Sequence, residues 1–150
     1  MRRREVLAGA AVALLARPAA AFGQRSDETV LLRLVAREEA ALEAYETDFV
    51  PGLRRDESEH AAALRTQLDA LGRRPAPRGM DAPARRVAEA SGDERVDAAI
   101  ALEESLVEAY SVALLDLEAP GVLQTAGTIL ASHAQHLARL RELAGIDPLA

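Results

Sequence analysis

"ILASHAQHLARL", Ile129 to Leu140, sets His133 and His136 three residues apart, between Ile129 and Leu140. Steps of three and four keep residues on one face of a helix. Two imidazoles therefore stand where leucines are expected. "DESEHAAALR", Asp56 to Arg65, repeats the oddity with Glu57 and His60 ahead of Leu64. The fold turns on what lies opposite these polar groups.

Working outward, the same stepping gives four faces. The first is Leu31, Val35, Glu38, Leu42, Tyr45 and Phe49. The second is Leu53, Glu57, His60, Leu64, Leu68 and Leu71, stopped by Gly72. The third is Val96, Ile100, Glu103, Val107, Tyr110, Leu114 and Leu117. The fourth is Ile129, His133, His136, Leu140 and Leu143, followed by Gly145. Each stripe is apolar except at one level, which carries Glu, Glu and His, Glu, or His and His.

The halves resemble each other. "AREEAALEAY" (Ala36 to Tyr45) matches "ALEESLVEAY" (Ala101 to Tyr110) at an offset of 65, with Glu seven residues before Tyr in both. "VPGL" (Val50 to Leu53) answers "APGV" (Ala119 to Val122) as the hairpin turn. Leu64-Arg65 answers Leu140-Arg141, which pairs His60 with His136. Counting back twelve residues from Gly72 and from Gly145 pairs His60 with His133 instead, and both registers stay open. Arg73 to Arg95, rich in Pro and Gly, is expected to be mostly loop, with room for a short turn around Ala84–Ala90. At up to about 3.3 Å per residue it can run the length of a bundle. The expected fold is all-α: a four-helix up-down-down-up bundle over 27–146, with one long crossover at about 73–95.

Depth along the hairpins decides whether the polar groups meet. Glu38 lies nine residues before a helix end near Thr47, and His60 eight residues after Gly52. Glu103 lies fourteen before Leu117, and His133 and His136 twelve and fifteen after Gly121. At about 1.5 Å per residue these groups are nearly level. Three carboxylates and three imidazoles in an apolar bundle need compensation, and a cation is the simplest. Glu38 and Glu103 are preferred to their neighbours Glu39 and Glu104, because Tyr45 and Tyr110 share their face. Asp56 and Glu59 read as surface residues. Tyr45 and Tyr110 read as packing residues whose hydroxyls bond an inward carboxylate.

Composition narrows the classes. Of 150 residues, 49% are hydrophobic and 3% aromatic, and there is no Cys, which removes disulfides, thiolate catalysis and Cys-ligated metals. A net charge of −6 argues against nucleic acid as a partner. The N-terminus, "MRRREVLAGAAVALLARPAAAFGQ", has an arginine cluster, an apolar run from Val6 to Ala16, and Ala19-Ala20-Ala21 as a cleavage site. The run is far short of the roughly 20 residues that span a bilayer. Residues 1–21 are expected to be a cleaved export signal, and Arg3-Arg4 resembles the twin-arginine signal. The expected location is therefore periplasmic or extracellular, with no stable membrane insertion after cleavage. Cleavage leaves 14 of the 18 basic and 23 of the 24 acidic residues, moving the net charge from −6 to −9.

Glu on one helix, Glu-x-x-His on the next, and a similar pair in the second half resembles the ferritin-like superfamily of carboxylate-bridged dimetal proteins, over about Thr29 to Gly145. Twin-arginine-exported ferritin-like domains are a known bacterial group. The resemblance implies Glu38 and Glu103 as single-Glu ligands, Glu57 as a bridge, and His60 and His136 as terminal ligands. His133 departs from the pattern, which has Glu there. Three carboxylates then face ions carrying +4, and a neutral imidazole cannot bridge as a carboxylate does. Weaker occupancy, a mononuclear site, or a softer preference for zinc, copper or manganese follows. The expected metal set is Glu38, Glu57, His60, Glu103, His133 and His136. It holds one or two transition-metal ions, iron or manganese foremost, with zinc also admissible. Metal ions are the expected partners, and a homodimer is compatible with the sequence.

Two functions from different classes follow. One is an exported metal-binding protein: a dimetal oxidase or peroxidase for small oxidants, or a metal handler. The other is an envelope structural or interaction module whose metal site has lapsed. Iron storage ranks last, since Pro148 follows the fourth stripe where storage cages carry a further short helix. "HAQH" lacks the His-Glu-x-x-His spacing of metalloproteases. With no Cys in the sequence, any electron donor is expected to be a separate molecule.

Overall fold

The computed structural model describes residues 19–46 and 49–148, with side chains from Asp27 onward. The expected helix end near Thr47 and residues 1–18 of the expected signal lie outside them. The described residues form five helices: α1 (Ala19–Ala44), α2 (Leu53–Ala70), α3 (Ala82–Glu89), α4 (Gly92–Asp116) and α5 (Pro120–Leu143). No strand occurs among the described residues. α1 begins upstream of the boundary expected at 27.

Helix ends follow from local chemistry. After α2, Gly72 N donates to Asp69 O and Arg73 N to Leu68 O. After α5, Gly145 N donates to Glu142 O and Ile146 N to Arg141 O. Both are Schellman closures, and they require the positive φ found at Gly72 (69°) and Gly145 (72°). Pro120, just inside α5, lacks only an N–H that a first turn leaves unbonded anyway.

Cross-helix contacts fix the direction of each helix. α1 runs antiparallel to α4, because Glu38 meets Tyr110 while Tyr45 meets Glu103. α2 runs antiparallel to α5, because Asp56 meets His136 while Gln67 meets Thr125. With α1·α2 and α4·α5 as hairpins, this is the up-down-down-up arrangement, and α2 and α4 point the same way. Only a connection traversing the bundle can join them.

That connection corrects the loop expectation. α3 occupies Ala82–Glu89 within it, started by Asp81, whose side chain accepts from Ala84 N at 3.0 Å, and by Pro83 in the first turn. Ala84 and Val87 are fully buried against α1 and α4. The helix forms because an N-cap and two core contacts outweigh the neighbouring Pro and Gly. Two stripe assignments also change. Leu143 is 60% exposed, beyond the last core turn of α5. The inward face of α4 keeps Ile100, Glu103 and Tyr110 and adds Leu102, Leu106 and Ala113, with Val107 and Leu114 at its margin.

The core divides into two apolar layers. One contains Ala41, Leu53, Val87, Leu102, Leu106 and Leu140; the other Leu31, Val35, Leu64, Leu68, Ala113 and Ile129. Burying each Leu or Ile contributes about 1.5–3 kcal/mol. Between the layers lies a polar stratum.

Candidate metal centre

Four helices supply that stratum. α1 gives Glu38, α2 gives Glu57 and His60, α4 gives Glu103, and α5 gives His133 and His136, and all six are buried. One polar level per stripe, at matched depth, places them face to face. Glu39 and Glu104 point outward instead, to Arg65 at 2.7 Å and Arg141 at 3.0 Å.

The pairing register becomes visible here. His60 Nδ1 lies 3.3 Å from Glu38 Oε2 and 3.6 Å from Glu57 Oε2. His136 Nδ1 lies 3.3 Å from Glu57 Oε1 and 3.6 Å from Glu103 Oε2. His60 thus corresponds to His136, and Glu57 to His133, as the Leu-Arg register has it. His133 stands in the middle, with Nδ1 2.9 Å from Glu103 Oε2 and Nε2 3.0 Å from Glu38 Oε1.

The tyrosines cross over. Tyr45 Oη donates to Glu103 Oε1 at 2.7 Å, and Tyr110 Oη donates to Glu38 Oε1. Each phenol bonds the carboxylate of the opposite half. Burial and the adjacent carboxylates push both phenols well above 10, so they remain donors.

Metal-free, the stratum compensates its own charge. Burial favours neutral imidazole at His133, but Glu103 and Glu38 outweigh it and raise the ring to about 11. Burial likewise opposes charge on His60 and His136, yet Glu38 and Glu57 lift the first, and Glu103 and Glu57 the second, to about 9. Burial raises the carboxyls too. His133 and His60 nevertheless hold Glu38 well below the usual range, and His133 and His136 lower Glu103. Glu57 goes the other way. Burial, with Glu38 and Glu103 as like charges, pushes it up to about 7 against the pull of His136 and His60. A ring with carboxylates at hydrogen-bond distance on both nitrogens has the geometry of an imidazolium.

Five buried cluster atoms nonetheless lack a hydrogen-bond partner: Glu38 Oε2, both Glu57 oxygens, His60 Nδ1 and His136 Nδ1. Such atoms are rare in a folded interior. Oxygen and imidazole nitrogen together suit a divalent transition metal. Two four-residue groups have mutually close ligand atoms: Glu38, Glu57, His60 and His133, and Glu57, Glu103, His133 and His136. The residues present therefore fit a metal.

Sequence reasoning missed three residues. Asp56, read as surface, has its Oδ2 3.2 Å from His136 Nε2 and an Arg55 partner on Oδ1. It holds the His136 ring with Nδ1 inward, as carboxylates behind metal-binding histidines do. Its signal was adjacency to Glu57, at the edge of the inward stripe. Ser132, the counterpart of Asp56 in the second half, lies 3.5 Å from His136 Nε2. Asp27 accepts from Glu118 N and Ala119 N, tying α1 to the α4–α5 turn, and no spacing pattern marks it.

The stratum is nearly closed. His60, at 8%, is its most exposed member. A surface cleft of about 750 Å³ is lined by other residues, including Glu39, Arg65 and Arg74. Among the described residues no helix is long and apolar enough to cross a membrane.

Comparison with curated proteins and with solved structures returns no match. A family model described as ferritin-like domain matches residues 9–145, which contain α1 to α5 and the cluster. With that match across nearly the full sequence, this chain belongs to the ferritin-like domain family.

Proposed function

We propose that this chain is an exported metal-binding protein. It holds one or two transition-metal ions, iron or manganese foremost, in the Glu/His stratum and uses them toward small oxidants as an oxidase or peroxidase. The single supporting observation is the set of five buried, partnerless oxygen and nitrogen atoms converging from α1, α2 and α5. A bound redox metal supplies electron exchange with the oxidant. The chain's residues do the rest. Tyr45 and Tyr110 orient Glu103 and Glu38, Asp56 orients His136, and the apolar layers above and below exclude bulk water. With His60 as the most exposed member, only small species fit: an ion, dioxygen or a peroxide. Export rests on Arg3-Arg4 and the apolar run behind them. Replacing both arginines with lysine is expected to keep the protein in the cytoplasm.

Elemental analysis of protein purified from its native envelope tests the metal reading. One to two transition-metal ions per chain are expected, fewer in His136→Ala or Glu57→Ala. Wild type without metal overturns it.

A second reading is favoured by one observation, the His133 ring held between Glu38 and Glu103, which neutralises the cluster without an ion. Under it the chain is a structural or interaction module with a lapsed site. Aerobic incubation with iron(II) separates the two. Absorption of oxidised iron appearing faster than in buffer supports the first reading. No such absorption, and identical melting with and without chelator, supports the second.

A further inference from the structure

The partnerless atoms fall into two sets. Glu38 Oε2, Glu57 Oε2 and His60 Nδ1 form one, with the nitrogen 3.3 Å and 3.6 Å from the two oxygens. Glu57 Oε1 and His136 Nδ1, 3.3 Å apart, form the other, with Glu103 Oε2 3.6 Å from that nitrogen. Glu57 gives one oxygen to each set. His133 is divided in the same way. Its Nε2 lies 3.0 Å from Glu38 Oε1, and its Nδ1 lies 2.9 Å from Glu103 Oε2 and 3.8 Å from Glu57 Oε1. The side chain is fully buried, so neither nitrogen meets water. Both four-residue groups include it.

We propose that His133 is a ligand shared by two metal ions, one on each ring nitrogen, its imidazolate replacing the carboxylate that the second half lacks. This rests on the metal centre proposed above. Charge supports it. Two divalent ions bring four positive charges, while Glu38, Glu57 and Glu103 supply three negative ones. An imidazolate supplies the fourth, and neutral His60 and His136 complete the set. On loading, His133 gives up both N–H protons and His60 and His136 one each, all to solvent, as metal–nitrogen bonds form, and no electron moves. The neutral-imidazole objection raised by the sequence then disappears, because a ring reaches two ions through opposite nitrogens where a carboxylate uses two oxygens. A shared nitrogen ligand also favours zinc or copper more than an all-carboxylate bridge does.

The test is a crystal structure of the full chain loaded with zinc(II), read by anomalous scattering. Two zinc peaks are expected, each about 2.0–2.1 Å from one His133 nitrogen. Two peaks with only one touching His133, or a single peak, overturn the shared ligand while leaving a metal centre in place. No peak, with no zinc retained in solution, overturns the metal centre itself. Calorimetric titration gives a second readout. His133→Gln, whose amide cannot serve two ions, is expected to drop from two zinc ions per chain to one, and His133→Glu to keep two. Two ions bound by His133→Gln overturn the proposal.

Discussion

The two hairpins carry the same plan with one central exchange. α1 and α4 match position for position. Glu38 and Glu103 point in, Glu39 and Glu104 point out to Arg65 and Arg141, and Tyr45 and Tyr110 cross to the opposite carboxylate. α2 and α5 match in His60 and His136 but differ where Glu57 faces His133. A second difference lies behind the rings. His136 is backed by Asp56, whereas the counterpart of Asp56 in α5 is Ser132. One half is thus acidic and the other imidazole-rich. The contrast teaches how a buried ionic layer can exist without an ion, since the second half carries the countercharge of the first.

Restoring symmetry should break that balance most severely. His133→Glu removes the ring between Glu38 and Glu103 and adds a fourth carboxylate to a closed interior. Uncompensated buried charge destabilises by about 3–5 kcal/mol. The metal-free variant is expected to lose that much in urea unfolding and to regain it with zinc(II). In chelator the wild type, with its countercharge in place, should be about 3–5 kcal/mol more stable than the variant. A variant as stable as wild type in chelator would show that His133 carries no countercharge.

Sweeping pH probes the same balance with no substitution. His60 and His136 move from 6.5 to about 9 on folding, and His133 to about 11. Their stabilisation is complete below about 6.5 and is lost as pH rises through those values. Glu57, raised from 4.5 to about 7, acts in the same direction and loses its part between them. Glu38 and Glu103 are lowered, so they stabilise above 4.5 and fail only on acidification. The melting temperature in chelator should therefore fall from pH 6.5 to 9. With zinc the trend should flatten or reverse, because metal binding displaces protons. A metal-free melt unchanged over that range would remove the protonated rings from the account.

The bundle and its polar layer were legible because periodicity and a duplicated motif are properties of one strand of text. Glu38 stood out from Glu39 because Tyr45 repeats its face two turns on, and the Leu-Arg echo contained the right register. α3 was hidden because Pro and Gly around it argue for loop, while Ala84 and Val87 gain their burial from contacts with α1 and α4 that spacing within the segment does not show. Leu143 kept the stripe's period but ran past the core it was meant to reach. Asp56 was hidden because its partner, His136, is on another helix. Spacing tells which residues share a face, and it says little about what the edge of that face will touch.

The difference behind the rings gives a narrower test. Asp56→Asn retains the shape but loses the charge that holds His136, so zinc affinity is expected to fall about 10–100-fold. Ser132→Ala, at 3.5 Å from the same ring, should leave it within about twofold. Equal effects would mean that Asp56 and Ser132 hold the His136 ring alike. The crossing tyrosines, by contrast, should be equal. Tyr45→Phe and Tyr110→Phe each remove one hydrogen bond to a carboxylate, worth about 1.5–3 kcal/mol. Thermal unfolding that separates them by more than about 1 kcal/mol would show inequality beyond the His133 exchange.

The smallest effect concerns the outer echo of the repeat. Arg65 and Arg141 close on Glu39 and Glu104 at 2.7 and 3.0 Å, in the same positions of the two halves. Glu39 adjoins Glu38 and Glu104 adjoins Glu103, so each pair could clamp the turn that aims an inward carboxylate. Solvent screening argues against a large contribution, since exposed pairs are worth about 0–1 kcal/mol. The buried carboxylates already have nearer anchors in Tyr110 and Tyr45. Arg65→Ala and Arg141→Ala should each shift unfolding by at most about 0.5 kcal/mol and leave the zinc count unchanged. If either one alone lowered that count, the aim of Glu38 or Glu103 would depend on the surface pair, and the likeness of the halves would be a requirement of the site instead of a remnant of duplication.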